Sequence, residues 1–151
     1  MTISLALFEP DIPQNTGSLM RLAACLGVDL HIIEPCGFVL DSKELKRVAM
    51  DYGNIANIHR HISWQNFLAD FADCGISRLI LLSTKADTIY TDFSFQNGDC
   101  LLLGRESSGV PDAVANSVHA MVKIKMHSTA RSLNVALAAA MVLGEAIKTA
   151  T

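Results

Sequence analysis

Two rhythms of apolar and polar positions alternate along this chain. Short continuous apolar runs mark strands buried on both faces, and longer stretches with apolar residues three and four apart mark helices. Ile3–Phe8 is the first strand expected. Pro10 and Pro13 interrupt it, and Pro13-Gln14-Asn15-Thr16-Gly17 reads as a turn, with Asn15 as N-cap of a helix over Thr16–Leu26 that Gly27 ends. Leu19, Leu22, Ala23 and Leu26 share one face of that helix, and Arg21 lies beside the stripe. Asp29–Ile33 predicts the next strand, closed by a Pro35-Cys36-Gly37 turn, and Asp41–Tyr52 predicts a second helix. Trp64–Phe71 follows as a helix capped by Ser63, then Leu79–Leu82 as a strand with Ser83-Thr84-Lys85 at its carboxyl end. Leu101, Leu102 and Leu103 form another buried strand, Val114 and its neighbours a short helix, and Met121–Met126 an alternating strand. Leu133–Ile147 is the last helix. Such strand–helix alternation predicts an α/β fold with a mostly parallel sheet and helices on both faces.

Composition narrows the picture. A length of 151 residues favours one domain spanning 1–151, and 50% hydrophobic with 18% charged residues is a globular balance. The net charge of −3 argues mildly against broad nonspecific nucleic-acid binding, so any RNA contact would rest on a local basic patch. Cys25, Cys36, Cys74 and Cys100 are scattered without a C-x-x-C pair; reduced cytoplasmic thiols and no metal site are expected. The longest small and apolar stretch, Val135–Leu143, is too short to span a membrane, and the first residues lack the basic flank of a signal peptide.

Leu101–Pro111 carries the first candidate chemistry: a buried strand, a loop from Gly104 to Gly109, then Pro111, suited to a first helical turn. Ligands of open α/β sheets bind at such carboxyl ends. Val110 and Pro111 stand where a Walker motif needs Lys and Ser/Thr, and no G-x-G-x-x-G follows a strand, which argues against a P-loop enzyme and a dinucleotide-dependent dehydrogenase. Lys43, Lys46 and Arg47, and then His59-Arg60-His61, are either solvated faces or phosphate contacts. The last helix is apolar nearly all round, with Ala136, Ala138, Ala139, Ala140, Gly144 and Ala146 among Val135, Leu137, Met141, Val142 and Leu143. Either it packs tightly in a monomer core or a partner subunit covers it.

Three stretches in order resemble the SPOUT methyltransferases: Asn15-Thr16-Gly17-x-x-x-Arg21, Leu102-Leu103-Gly104-Arg105-Glu106-Ser107-Ser108-Gly109-Val110-Pro111, and Arg131-Ser132-Leu133-Asn134. With Leu30-His31-Ile32-Ile33-Glu34-Pro35, Gly37-Phe38 and Asp51-Tyr52, the chain is most similar to the short SpoU-type branch that methylates the 2′-OH of the tRNA wobble pyrimidine. The last helix departs from that pattern at Asn134-Val135-Ala136-Leu137-Ala138, where relatives carry a second Ser-Asn pair, and at Gly144, where a bulkier residue is usual.

The resemblance implies a C-terminal trefoil knot, S-adenosylmethionine held in the knotted loops, and a homodimer with its site at the subunit boundary. It assigns the cofactor to Leu82, Ser83, Thr84, Gly104, Ile124, Ser132 and Leu133. It gives Arg21 the central catalytic place, with Asn15, Glu106, Ser132 and Asn134 orienting it and the ribose. A guanidinium stays protonated in proteins, so Arg21 is expected to stabilise a developing alkoxide or fix the adjacent phosphate rather than act as a base. Arg105, with Lys43, Lys46 and Arg47, is expected to touch RNA. His31 is expected as a strand residue at an interface, and His127 as a loop residue near substrate. The implied substrate is tRNA, leucine tRNAs foremost. Ribosomal RNA or another tRNA position, and a catalytically silent RNA-binding dimer, are the alternatives.

Overall fold

The structure, a computed structural model, describes residues 3–40, 47, 57–130 and 133–151. Its described strands form one all-parallel sheet: β1 (Ser4–Phe8), β2 (Asp29–Ile33), β3 (Ile58–His61), β4 (Arg78–Leu82), β5 (Thr88–Ile89), β6 (Asp99–Leu103) and β7 (Ala120–Lys123), in the spatial order β3-β2-β1-β6-β4-β7-β5. The strand direction in which the sheet grows reverses between β1 and β6, paired from Ser4↔Cys100 to Leu7↔Leu103.

Strand alternation divides the core in two. Leu5, Leu7, Leu30, Ile32, Leu101 and Leu103 face α1 (Pro13–Leu26) and α4 (Val135–Thr149), while Ala6, Phe8, Ile33, Cys100 and Leu102 face α2 (Trp64–Asp70) and α3 (Asp112–Ala115). Across the sheet's underside, Arg78 grips the buried Asp99 with Nε and Nη2, both at 2.7 Å, and its guanidinium lies 5.2 Å from the Phe93 ring centre.

Several boundaries depart from the sequence reading. α1 begins at Pro13, with Ile12 in the N-cap position, so the expected turn at 13–17 is already helical. Proline at the first helical position loses no required hydrogen bond, and Asn15 is thereby released from capping. Gly27 does close α1, at φ 67°. Leu26 is exposed rather than part of the packed stripe. Leu133 and Asn134 precede the last helix, which Asn134 caps by accepting from the N–H groups of Ala136 (2.9 Å) and Leu137 (3.3 Å). Pro111 is the N-cap of α3 rather than its first helical residue. Ser63 caps α2 as expected.

The His59-Arg60-His61 cluster lies in strand β3. Arg60 there donates to Glu34 (3.2 and 3.0 Å), and His61 is buried. β3 and the two-residue β5 have no counterpart among the expected strands. His31, expected at an interface, is wholly buried within its own chain, against Phe67 of α2. Burial, followed by the neighbouring His59 and His61, pushes its pKa down to about 4, so the ring is neutral.

Candidate active site

Strands β4, β6 and β7 end on the same side, and their carboxyl ends open into a cavity of about 590 Å³. That is within the size range of small-ligand and cofactor sites. Leu81 and Leu82 enter it from β4, Ser83, Thr84 and Lys85 from the following turn, Leu103 from β6, and Met121 and Ile124 from β7 and beyond. Gly104, Arg105, Glu106, Ser108, Gly109 and Val110 form one wall, and Leu133, Asn134, Val135 and Ala138 another. Ile12 and Asn15 close it from the start of α1.

The glycine loop is held shut by its own backbone. Arg105 N–H donates to the Gly109 carbonyl at 3.0 Å, and Gly109 N–H returns a bond to Arg105 at 2.8 Å. Gly109 adopts φ 65°, the left-handed region glycine favours. A Cβ at Gly104 would stand 2.8 Å from both the C and Cα atoms of Gly109. Glycine is therefore required at 104 by the loop's own closure.

Arg105 is engaged inside this loop. Its Nε donates to the Gly109 carbonyl (3.1 Å), Nη1 lies 3.4 Å from Glu9 Oε1, and the guanidinium sits 5.3 Å from the Phe8 ring centre. These contacts organise the wall.

Glu106 finds a partner the sequence reading did not single out. Asp11 N–H donates to Glu106 Oε2 (3.1 Å), Glu106 N–H donates to Asp11 Oδ1 (3.2 Å), and the Ser107 hydroxyl donates to Asp11 Oδ2. Burial, and then the neighbouring Asp11 carboxyl, raises the pKa of Glu106, whereas the neighbouring Glu106 carboxyl lowers that of Asp11. Glu106 is thus the member that holds a proton more readily. Gly37 packs so close behind Asp11 that a Cβ there would lie 2.7 Å from Asp11 Cβ. The only sequence signal for Asp11 was an acid set between two prolines, Pro10-Asp11-Ile12-Pro13.

Asn15 and Asn134, far apart in sequence, meet: Asn134 Nδ2 donates to Asn15 Oδ1 at 3.0 Å while its own oxygen caps α4. On the opposite wall, Ser83 Oγ accepts from Lys85 N–H (3.1 Å), fixing the turn after β4.

Of the residues assigned by resemblance, Leu82, Ser83, Thr84, Gly104, Ile124, Leu133, Asn15, Glu106, Asn134 and Arg105 all line this one cavity. Arg21 does not; it is exposed on α1 in the stripe Gln14, Ser18, Arg21, Cys25. Ser132, Lys43 and Lys46 lie outside the described residues, as does the predicted helix over 41–52 except for Arg47, which is helical and exposed. His127 lies outside the cavity lining and bonds locally to Thr129. Among the described residues no helix is long and apolar enough to cross a membrane.

The donor set suits a nucleoside-type ligand: an apolar slot between Leu82, Leu103, Ile124, Leu133 and Ala138, rimmed by polar loop groups. Comparison with known proteins agrees with this chemistry. The tRNA (cytidine(34)-2′-O)-methyltransferase of Beijerinckia indica is 54% identical over 144 residues, covering 95% of this chain and 89% of that one. The protein of the same name from Escherichia coli K12 is 38% identical, covering 95% and 91%. A structure solved in work on the 2-OH methylation of C/U34 on tRNA superposes with a TM-score of 0.90 at 37% identity, over 97% of this chain and 95% of that one. The SpoU methyltransferase AviRb from Streptomyces viridochromogenes, solved with AdoMet, superposes with a TM-score of 0.85 at 25% identity, over 96% and 59%. The model of the SpoU rRNA methylase family matches residues 2–144, and with a cavity walled by the expected loops this chain belongs to that family.

Proposed function

We propose that this protein is an S-adenosylmethionine-dependent methyltransferase that methylates the ribose 2′-OH of the wobble pyrimidine, a cytidine or modified uridine, in tRNA. The observation that carries the reading is the cavity at the ends of β4, β6 and β7, into which the glycine loop, the turn after β4 and the residues before α4 converge. The name of the relative that is 54% identical supplies the substrate class. Bound there, the cofactor supplies a sulfonium methyl already activated for transfer.

The residues present divide the remaining work. Leu82, Leu103, Ile124 and Leu133 exclude water from the slot. The Arg105–Gly109 bridge holds the loop wall in place before any ligand arrives. Glu106, whose carboxyl burial and Asp11 push above its ordinary pKa, reaches the cavity from the glycine loop. Asn134 and Asn15 fix the wall opposite.

Arg21 is assigned to the cavity of a second copy, where its charge meets the developing alkoxide or the neighbouring phosphate. Two features support a dimer: Arg21 is exposed outside its own cavity lining, and α4 presents the stripe Leu137, Met141, Gly144, Lys148, with Leu137 60% and Met141 44% exposed. The chain is a single knotted domain that works in the cytoplasm, with leucine tRNAs as its preferred substrates. Nucleoside mass spectrometry of tRNA from a deletion strain tests it. Loss of the 2′-O-methyl mark at position 34, restored by the wild-type chain, is the expected result; intact tRNA with a mark missing from ribosomal RNA would move the activity to that substrate.

A further inference from the structure

At the opposite end of the sheet, away from every residue lining the cavity, β2 and β3 bring together side chains that the reaction does not use. Parallel register sets His31 beside His59, and Asp29, two residues before His31, projects from the same face. One ligand atom from each lies within 4.8 Å of the others.

Two of these atoms are unsatisfied. His31 Nε2 and His59 Nε2 are both buried without a hydrogen-bond partner, and His31 is 0% exposed. Native proteins seldom leave such nitrogens unpaired, because a buried polar group loses its water without gaining a partner. A bound cation would satisfy both lone pairs.

We propose that Asp29, His31 and His59 form a site for a divalent transition-metal ion of the zinc type, with water completing the coordination. Asp29 Oδ2 and His59 Nε2 stand 3.4 Å apart. That is about the ligand–ligand separation across a tetrahedral ion with bonds of about 2.0–2.1 Å. The supporting shell is already in place. Asn57 Nδ2 donates to Asp29 Oδ1 at 2.8 Å, which leaves Oδ2 for the ion. His31 Nδ1 lies 3.0 Å from His61 Nε2, so donation from His31 to His61 would fix the tautomer whose Nε2 carries a lone pair.

Access and adjustment come from the outer pair, since the His59 and Asp29 side chains are 35% and 40% exposed. The His31 and His59 rings are stacked, with centres 4.7 Å apart and planes 15° apart. Two imidazoles and one carboxylate favour zinc over magnesium or calcium. The ion would fasten edge strand β3 to β2. This departs from the expectation of no metal, which rested on cysteine spacing and could not register histidines from separate strands.

The test uses the full chain stripped with EDTA and then dialysed against Zn²⁺, with metal content measured by atomic emission and a parallel Co²⁺ visible spectrum. Expected are one ion per chain, a cobalt spectrum without thiolate charge transfer, and at least about tenfold weaker uptake in both His59→Gln and Asp29→Asn. Both variants should bind S-adenosylhomocysteine like the wild type, which separates this site from the cavity. No zinc uptake, uptake unchanged in both variants, or a thiolate band in the cobalt spectrum would overturn the proposal.

Discussion

Replacing Gly104 with alanine adds one methyl group where the loop backbone is tightest. The new Cβ would stand 2.8 Å from Gly109 C and Cα and 3.2 Å from Val110 Cγ1, against ordinary contact at 3.4–4 Å. Reaching 3.4 Å from 2.8 Å moves the Gly109 backbone outward by about 0.6 Å. The two Arg105–Gly109 backbone bonds, now 3.0 and 2.8 Å, would stretch to the edge of hydrogen bonding. Losing most of both, at about 1 kcal/mol each, with some residual overpacking gives roughly 2–3 kcal/mol for restoring the closed loop. The loop lies on the cavity rim, so the free protein can relax by opening it, and the strain falls on ligand binding. Gly104→Ala should therefore weaken S-adenosylhomocysteine binding by roughly 30- to 150-fold, measured by isothermal titration. Its urea midpoint should change little. An affinity within twofold of wild type would refute the reasoning, as would a loss of folding stability as large as the loss of binding.

Three other experiments probe separate parts of the molecule. Arg78→Met strands the carboxylate of Asp99, which is 1% exposed, and should destabilise the chain by about 3–5 kcal/mol in urea unfolding, whereas Arg78→Met with Asp99→Leu should recover most of that; equal stability of the single and double variants would contradict it. Glu106 holds its proton more tightly folded than unfolded, so its protonated form adds stability that is present below its ordinary pKa of 4.5 and lost as pH rises through the raised folded value. Glu106→Gln keeps a donor beside Asp11 at every pH, and should therefore gain stability over wild type at pH 8 and lose that advantage toward pH 4.5; a pH-independent difference would count against the coupling of the two carboxyl groups. Co-expression of Arg21→Ala with Gly104→Val chains should restore about one quarter of wild-type methylation, since half the dimers would be mixed and each would hold one complete site; no recovery would return Arg21 to its own chain's cavity.

Much of the sheet was legible because its central strands are short apolar runs. Ile3–Phe8, Asp29–Ile33 and Leu101–Leu103 are buried on both faces, and nothing but a strand in a covered parallel sheet accounts for such runs between turn signals. β3 escaped notice because Ile58-His59-Arg60-His61 holds a single aliphatic residue; its burial comes from stacked imidazoles under Phe67. The start of α1 was misplaced because Asn15 is a good cap by type, while its actual use depends on Asn134, which only the fold brings near. The cavity residues were assigned by resemblance, and the structure gathers the described ones except Arg21. Asp11 carried no periodic or motif signal, since its partners come from the glycine loop.

The pairing of β1 with β6 also bears on how the chain is made. Ser4 finds Cys100 and Leu7 finds Leu103, so the first strand has no neighbour on that side until the ribosome has extruded roughly two-thirds of the polypeptide. Until then an apolar, ungated ribbon edge stands open to other nascent chains. Overproduction of fragments ending before residue 99 should accordingly yield insoluble material, and slower translation should not help them.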